Sequence, residues 1–249
     1  RMWPYASEDE ALYDVLRLSK GMTFKSAVAH TGLGGGKAVI VGDPKTTKSE
    51  ALFLAMGRFV DSLGGKYITA EDVNIGVPDL EIVRRATKHV TGLSRKDGGS
   101  GNPSPYTAYG VFLGVRAACG WKFGSDDLTG KTVAIQGAGA VGTSLTERLL
   151  QAGAKVTVSD IKHDKVQDLV DRFGVTAVGD DEIYGVECDV FAPCALGAVV
   201  NDRTIDQLKC KVIAGAANNV LHEERHGREV EQRGMLYPPD YVLHAGGTV

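Results

Sequence analysis

The sequence predicts an α/β protein of two parts, an N-terminal α/β domain at 1–100 and a doubly wound parallel-sheet domain at 101–249. Three observations predict it. From Thr132 onward, short apolar runs alternate with segments of helical period in a βαβαβ rhythm. Residues 94–105, SRKDGGSGNPSP, are poor in apolar side chains and rich in Gly, Ser and Pro, which marks an inter-domain hinge. At 249 residues, 43% apolar and 24% charged, the chain has material for two cores and too little charge for disorder.

The elements follow in order. Ser7-Glu-Asp-Glu10 is a capping box, with Leu12, Val15 and Leu16 on one face of the helix it opens and Gly21 as that helix's stop. Lys37–Val41 reads as an apolar strand closed by the turn Gly42-Asp43-Pro44. A helix is expected from Glu50 to Leu63, ending at Gly64-Gly65. Tyr67–Ala70 reads as a strand with Glu71-Asp72 at its C-terminal end, and Pro78 suits the first turn of a helix running to Lys88. Beyond the hinge a helix is expected over Thr107–Cys119. After it come strands at Thr132–Gln136, Lys155–Ser159, Val175–Val178, Asp189–Ala192 and Val212–Ala214, with helices at Val141–Gln151 and Lys165–Phe173.

Composition narrows the function. A net charge of −3 gives no electrostatic footprint for nucleic acid or an anionic membrane. No apolar run approaches the roughly 20 residues needed to span a bilayer. The four cysteines, Cys119, Cys188, Cys194 and Cys210, lack CxxC spacing and read as reduced thiols of a cytoplasmic protein. His222 and His226 stand four apart without a carboxylate at a ligand position, so no metal site is expected. The opening Arg1-Met2-Trp3-Pro4 and the ending Gly246-Gly-Thr-Val249 lead to the expectation of a fragment of a longer chain.

The strongest signal begins at the strand Thr132–Gln136, which runs into Gly137-Ala-Gly139-Ala-Val141-Gly142 and then a helix. A second strand ends at Asp160, at the spacing of a dinucleotide fingerprint. Gly137 allows the tight turn, Gly139 lets a pyrophosphate approach the backbone, and Gly142 lets helix pack on strand. The helix start, including Val141, offers free N–H groups to the phosphates. Asp160 accepts hydrogen bonds from the adenosine ribose hydroxyls and repels a 2′-phosphate, which favours NAD over NADP. The second domain is therefore expected to be a Rossmann-like NAD-binding domain.

In the first domain Thr31-Gly-Leu-Gly-Gly-Gly36-Lys37-Ala38 fails as a phosphate loop, because residues 31 and 38 are of the wrong types. Lys37 at the start of a buried strand would be partly desolvated, with a lowered pKa suited to a general base. Lys25 is a second candidate cation, suited to a substrate carboxylate, and Asp72 stands where catalytic carboxylates often do. Ordinary alternatives stay open for each: most lysines are solvated, and Glu71-Asp72 is also a plain loop cap.

Met22-Thr-Phe-Lys25, Gly34-Gly-Gly-Lys37-Ala-Val-Ile, Gly42-Asp-Pro44, Tyr67-Ile-Thr-Ala-Glu-Asp72-Val, Gly101-Asn-Pro-Ser-Pro105, Ala192-Pro-Cys-Ala-Leu-Gly197, Gly215-Ala-Ala-Asn-Asn219 and Pro239-Asp-Tyr-Val242 occur in that order. Together they resemble the leucine, valine and phenylalanine dehydrogenases of the glutamate dehydrogenase superfamily, over nearly the whole chain. The resemblance implies reversible, NAD-dependent oxidative deamination of an apolar L-amino acid to a 2-oxo acid and ammonia by a homo-oligomer. A glutamate-type enzyme and a catalytically silent NAD-binding relative are the alternatives. It implies that Lys25 holds the substrate carboxylate, that Lys37 activates water, and that Asp72 handles protons. It also implies that Ala70 lines the side-chain pocket and that Thr107, Ala192, Cys194, Ala217 and Asn218 surround the nicotinamide. Three departures stand out: the family's Gly-Gly-Thr lead-in before Arg1 is absent, so are the C-terminal helices after Gly246-Gly247 that carry some of the side-chain pocket, and His244 replaces the Asn that touches the substrate near its amino and carboxylate groups.

Overall fold

A computed structural model describes residues 1–93 and 102–247. The chain forms two compact units, one of Arg1–Phe24 and Leu33–Pro103, the other of Lys25–Gly32 and Ser104–Val249. Most of the expected hinge, residues 94–101, lies outside the described residues.

In the first unit β1 (Met2–Trp3) pairs in parallel with β2 (Ile40–Val41). Helix α1 (Glu8–Val28) opens on the expected cap: Glu10 N donates to Ser7 Oγ at 3.1 Å, and the Glu10 carboxylate accepts from Ala6 N at 2.7 Å. The helix does not stop at Gly21. It runs through to Val28, and the left-handed residue that follows is His30, with φ 51°. An interior glycine costs about 1 kcal/mol relative to alanine, less than the roughly 1.5–3 kcal/mol that burying Leu18 contributes. The Gly34-Gly-Gly36 run packs on this helix, since a Cβ on Gly35 would overlap the backbone nitrogen of Thr23.

Helices α2 (Glu50–Ser62) and α3 (Val77–Arg84) pack on each other, with Ser49 capping α2 through its hydroxyl. Their buried faces meet Met2, Ile75 and Val90 in a small core. The expected strand at Tyr67–Ala70 reduces to a single parallel bridge between Thr69 and Val90, and the strand expected over Lys37–Val41 shrinks to Ile40–Val41. Both segments have strand-like composition, but their neighbours offer only one or two residues to pair with, and a ladder needs a partner along its length.

The second unit starts its regular structure earlier than expected, with α4 at Ser104–Phe123. A five-stranded, all-parallel sheet follows: β3 (Thr132–Gln136), β4 (Lys155–Ser159), β5 (Thr176–Ala177), β6 (Val190–Pro193) and β7 (Val212–Ile213), in the order β5-β4-β3-β6-β7. Helices α5 (Ala140–Gln151) and α6 (His163–Phe173) join α4 over one face, around Val133, Ile135, Leu145, Leu149, Val158 and Leu169. The other face buries Ala134, Phe191 and Ile213 against the segments that lead into α7 (Arg225–Gln232). The chain closes with α8 (Asp240–Leu243) and a short 3₁₀ turn at Ala245–Gly247. Sheets covered on both faces carry strands like the TVAIQ run of β3, whose three central residues are fully buried. Among the described residues no helix is long and apolar enough to cross a membrane.

Candidate functional site

In the first unit Lys37 Nζ stands 2.6 Å from Asp72 Oδ2, with side-chain exposures of 19% and 11%. Asp72 sits in a tight turn in which it and Ile75 exchange both backbone hydrogen bonds and Asn74 takes a left-handed φ of 61°. The turn is tied to β1: Met2 N donates to Val73 O at 3.1 Å, and Asn74 Nδ2 donates to Met2 O at 3.1 Å. The other Asp72 oxygen accepts from Val73 N at 2.7 Å. Burial would raise the Asp72 carboxyl, but the Lys37, Arg1 and amino-terminal charges together hold it below the usual carboxylate range. The pair faces a pocket, open to solvent, whose wall includes Ala70, Met22, Phe53 and Met56. Glu71, next in chain to Asp72, is raised by burial.

In the second unit the glycine turn leaves β3. Gly137 has a φ of 109°, a conformation that costs a side chain dearly. A Cβ on Gly142 would overlap the Gly137 carbonyl oxygen, so only glycine lets α5 begin here. Gly139 is the residue before α5, contributes no side-chain cap, and has open space where a Cβ would stand. Asp160 reaches back from the end of β4: one oxygen accepts from Ala138 N at 2.7 Å and the other from Lys162 N at 2.8 Å. A carboxylate has about four acceptor positions, so these bonds leave room for two more donors. Strand β6 runs beside the turn, with Cys194 N donating to Gln136 O at 2.7 Å. Ala192 and Ala217 are buried there, Cys194 and Thr107 are half-buried, and Asn218 is exposed. Half-buried Lys25 belongs to this unit as well.

His244, which follows α8, is 3% exposed, and neither ring nitrogen has a hydrogen-bond partner among the described residues. Burial, with a smaller push from the Lys25 charge, lowers its pKa to about 3. The imidazole is therefore neutral in the folded protein. The unfolded chain binds that proton below about pH 6.5 and the fold does not, so acid favours unfolding between pH 6.5 and 3. The expected loss is about 1.4 kcal/mol per pH unit in that window. Urea midpoints at pH 7.5 and 5.0 test it: His244→Asn should lose less on acidification than the parent protein, and equal losses would assign the acid sensitivity to other groups.

Sequence reasoning had no signal for two contacts. Arg1 lies 3.7 Å from Asp72 although 71 positions separate them, and Gln136 Nε2 donates to the Tyr184 hydroxyl at 2.6 Å. All four thiols are free. Burial pushes Cys119 and Cys210 up to about 11 and Cys188 and Cys194 to about 12, which keeps them protonated and poorly nucleophilic at neutral pH.

Residues 1–89 match the family described as Glu/Leu/Phe/Val dehydrogenase, dimerisation domain. Residues 98–164 and 159–249 match Glutamate/Leucine/Phenylalanine/Valine dehydrogenase. The chain is 55% identical over 249 residues to a leucine dehydrogenase of Thermoactinomyces intermedius, covering 100% of this chain and 68% of that protein. It is 47% identical over 254 residues to a phenylalanine dehydrogenase of Bacillus thermotolerans, covering 100% of this chain and 66% of that protein. Among solved structures, the L-tryptophan dehydrogenase of Nostoc punctiforme superposes with a TM-score of 0.77 at 44% identity, over 100% of this chain and 71% of that one.

Proposed function

This chain belongs to the Glu/Leu/Phe/Val dehydrogenase family, and from that membership we propose that it oxidatively deaminates an apolar L-amino acid, branched-chain or aromatic, with NAD as the oxidant. The products are the 2-oxo acid and ammonia, and the reaction is reversible. The observation that carries the reading is the buried Lys37–Asp72 pair at 2.6 Å, facing a pocket whose wall combines charged groups with the apolar Met22, Phe53 and Met56.

The glycine turn fits a dinucleotide on three counts: the left-handed Gly137, the open approach at Gly139, and an α5 N-terminus with no side chain capping it. In this reading Gly137, Gly139, Val141 and Gly142 hold the pyrophosphate, while Asp160 takes the adenosine ribose with its remaining acceptor positions. Thr107, Ala192, Cys194, Ala217 and Asn218 surround the nicotinamide. Bound there, NAD supplies the two-electron acceptor of the reaction.

The chain's own groups do the rest. Lys25 holds the substrate α-carboxylate, with neutral His244 as a second donor in the same unit. Asp72, ionised, takes the proton that the substrate ammonium must lose before its α-carbon can be oxidised. Lys37, as a free amine, takes a proton from the water that attacks the imino carbon, and Asp72 returns its proton to the nitrogen as ammonia leaves. Ala70 leaves space for the substrate side chain. In this reading the first unit carries the proton-handling pair and the side-chain pocket, and the second carries the NAD site together with Lys25 and His244. We also propose a cytoplasmic homo-oligomer assembled through the first unit.

The test is the initial rate of NADH formation at alkaline pH with L-Leu, L-Val, L-Phe, L-Trp, L-Glu and L-Ala. One apolar substrate should exceed L-Glu by at least about tenfold, since a site built for an apolar side chain leaves a carboxylate unpaired. Rates that are highest with L-Glu, or absent throughout despite NAD binding, would overturn the reading. NADP should support little turnover, because Asp160 repels its 2′-phosphate.

A further inference from the structure

Arg1 is the least expected residue near the reacting groups. Its backbone is stitched to the segment that carries Lys37: Arg1 N donates to Ala38 O at 2.9 Å, and Ile40 N donates to Arg1 O at 2.8 Å. Its side chain is 12% exposed and aimed at two carboxylates. Nη1 is 2.9 Å from Asp14 Oδ2 on α1, and the Tyr5 hydroxyl donates to the same oxygen at 2.5 Å. Nε is 3.7 Å from Asp72 Oδ2, the oxygen that Lys37 holds at 2.6 Å, and it makes no hydrogen bond. That distance exceeds a hydrogen bond, so the guanidinium acts on Asp72 through its charge and leaves the oxygen free to take a proton.

We propose that Arg1, braced by Asp14 and Tyr5, is a positioning residue whose fixed charge stays beside Asp72 while Lys37 is uncharged. This rests on the reading of Lys37 and Asp72 as the proton-handling pair. The physical need is specific. Lys37 must be uncharged when it takes a proton from water, and in that state Asp72 would be left buried without its nearest cation, a condition that favours protonation. An arginine cannot lose its proton in a protein, so its charge is constant through the cycle, whereas a second lysine would titrate. Asp14 accepts the hydrogen bond that stops the guanidinium from rotating onto Asp72, and the Tyr5 hydroxyl holds Asp14 in place.

The groups that face Asp72 are Lys37, the Arg1 guanidinium, the chain's amino group and the Tyr67 hydroxyl, with Glu71 adjacent in sequence and Asp14 behind Arg1. The experiment is the pH profile of kcat/KM for Arg1→Gln, Arg1→Lys and Tyr5→Phe in the full chain. It includes a chain extended by one residue ahead of Arg1, which removes the amino charge and keeps the side chain. Removing a neighbouring guanidinium raises an aspartate by about one to three pH units, so the acid limb of Arg1→Gln should move up by that amount. Arg1→Lys should restore most of the limb, Tyr5→Phe should move it less in the same direction, and the extended chain should stay near the parent.

A uniform fall in kcat/KM with an unmoved limb in Arg1→Gln would make Arg1 merely structural. An equal shift on simple extension would assign the effect to the amino group. Either result overturns the proposal, as does loss of folding in Arg1→Gln combined with an unmoved limb in Tyr5→Phe. Asp72→Asn separates this from the parent reading. If Asp72→Asn is inactive and Arg1→Gln keeps the parent profile, the catalytic pair stands and only the role of Arg1 falls. If Asp72→Asn keeps full activity, both fall.

Discussion

Replacing Lys37 with alanine is expected to lower kcat by about a thousandfold while leaving NAD affinity within a factor of about two. A positioned general base contributes on the order of 10² to 10⁴ in rate, and Lys37 is the cation in direct contact with Asp72. The substitution also leaves Asp72 buried at 11% exposure with Arg1 as its remaining neighbouring guanidinium, so its carboxyl rises and its capacity to accept the substrate proton falls. Both effects act on the chemical step. The dinucleotide turn belongs to the other compact unit, which is why coenzyme binding should survive. Steady-state rates combined with NADH fluorescence titration measure the two separately. Retained turnover would remove Lys37 from the mechanism, and loss of both would point to a folding defect.

Gly142→Val and Gly139→Ala should fail in different ways, and the contrast is the sharper test of the turn. A Cβ at Gly142 overlaps the Gly137 carbonyl oxygen, with no flexible side chain in the way that could yield. The variant must push α5 off β3, at a cost of about 1–3 kcal/mol or more, and dinucleotide affinity should fall at least a hundredfold. At Gly139 a Cβ meets nothing within 4 Å, so the alanine variant should fold and melt like the parent. In the proposed site its methyl group stands in the path of the pyrophosphate, so affinity should still fall by about tenfold or more. Thermal melts and coenzyme titration of the two proteins are sufficient. Normal NAD affinity in Gly139→Ala would place the coenzyme elsewhere.

Local chemistry made much of this protein readable. The β3–α5–β4 unit, with its glycines and terminal Asp160, is specified by neighbouring residues, and the structure has it within one residue of expectation. The Ser7 and Glu10 cap is likewise local, although Glu10 reaches Ala6 N and not Ser7 N. The expectation at Gly21 failed because glycine as a helix stop is a preference of roughly 1 kcal/mol, and the burial of Leu18 exceeds it. Tyr67–Ala70 failed because a strand exists only where a second strand lies beside it, and that depends on residues around Val90.

What the sequence determined by itself was whatever a few adjacent residues enforce: backbone conformations that only glycine accepts, helix caps, the period of apolar side chains, and the spacing of strand, turn and acid. The tertiary structure decided which distant charges meet. Asp72 comes to Lys37 across 35 positions and to Arg1 across 71, held by one-residue bridges and a two-residue strand pair that carry no pattern of their own. The same holds for His244, a surface-type residue by composition that becomes a buried neutral ring because α8 packs on α4. The energy of such contacts depends on burial and distance, and both arise only when the whole chain has closed around them.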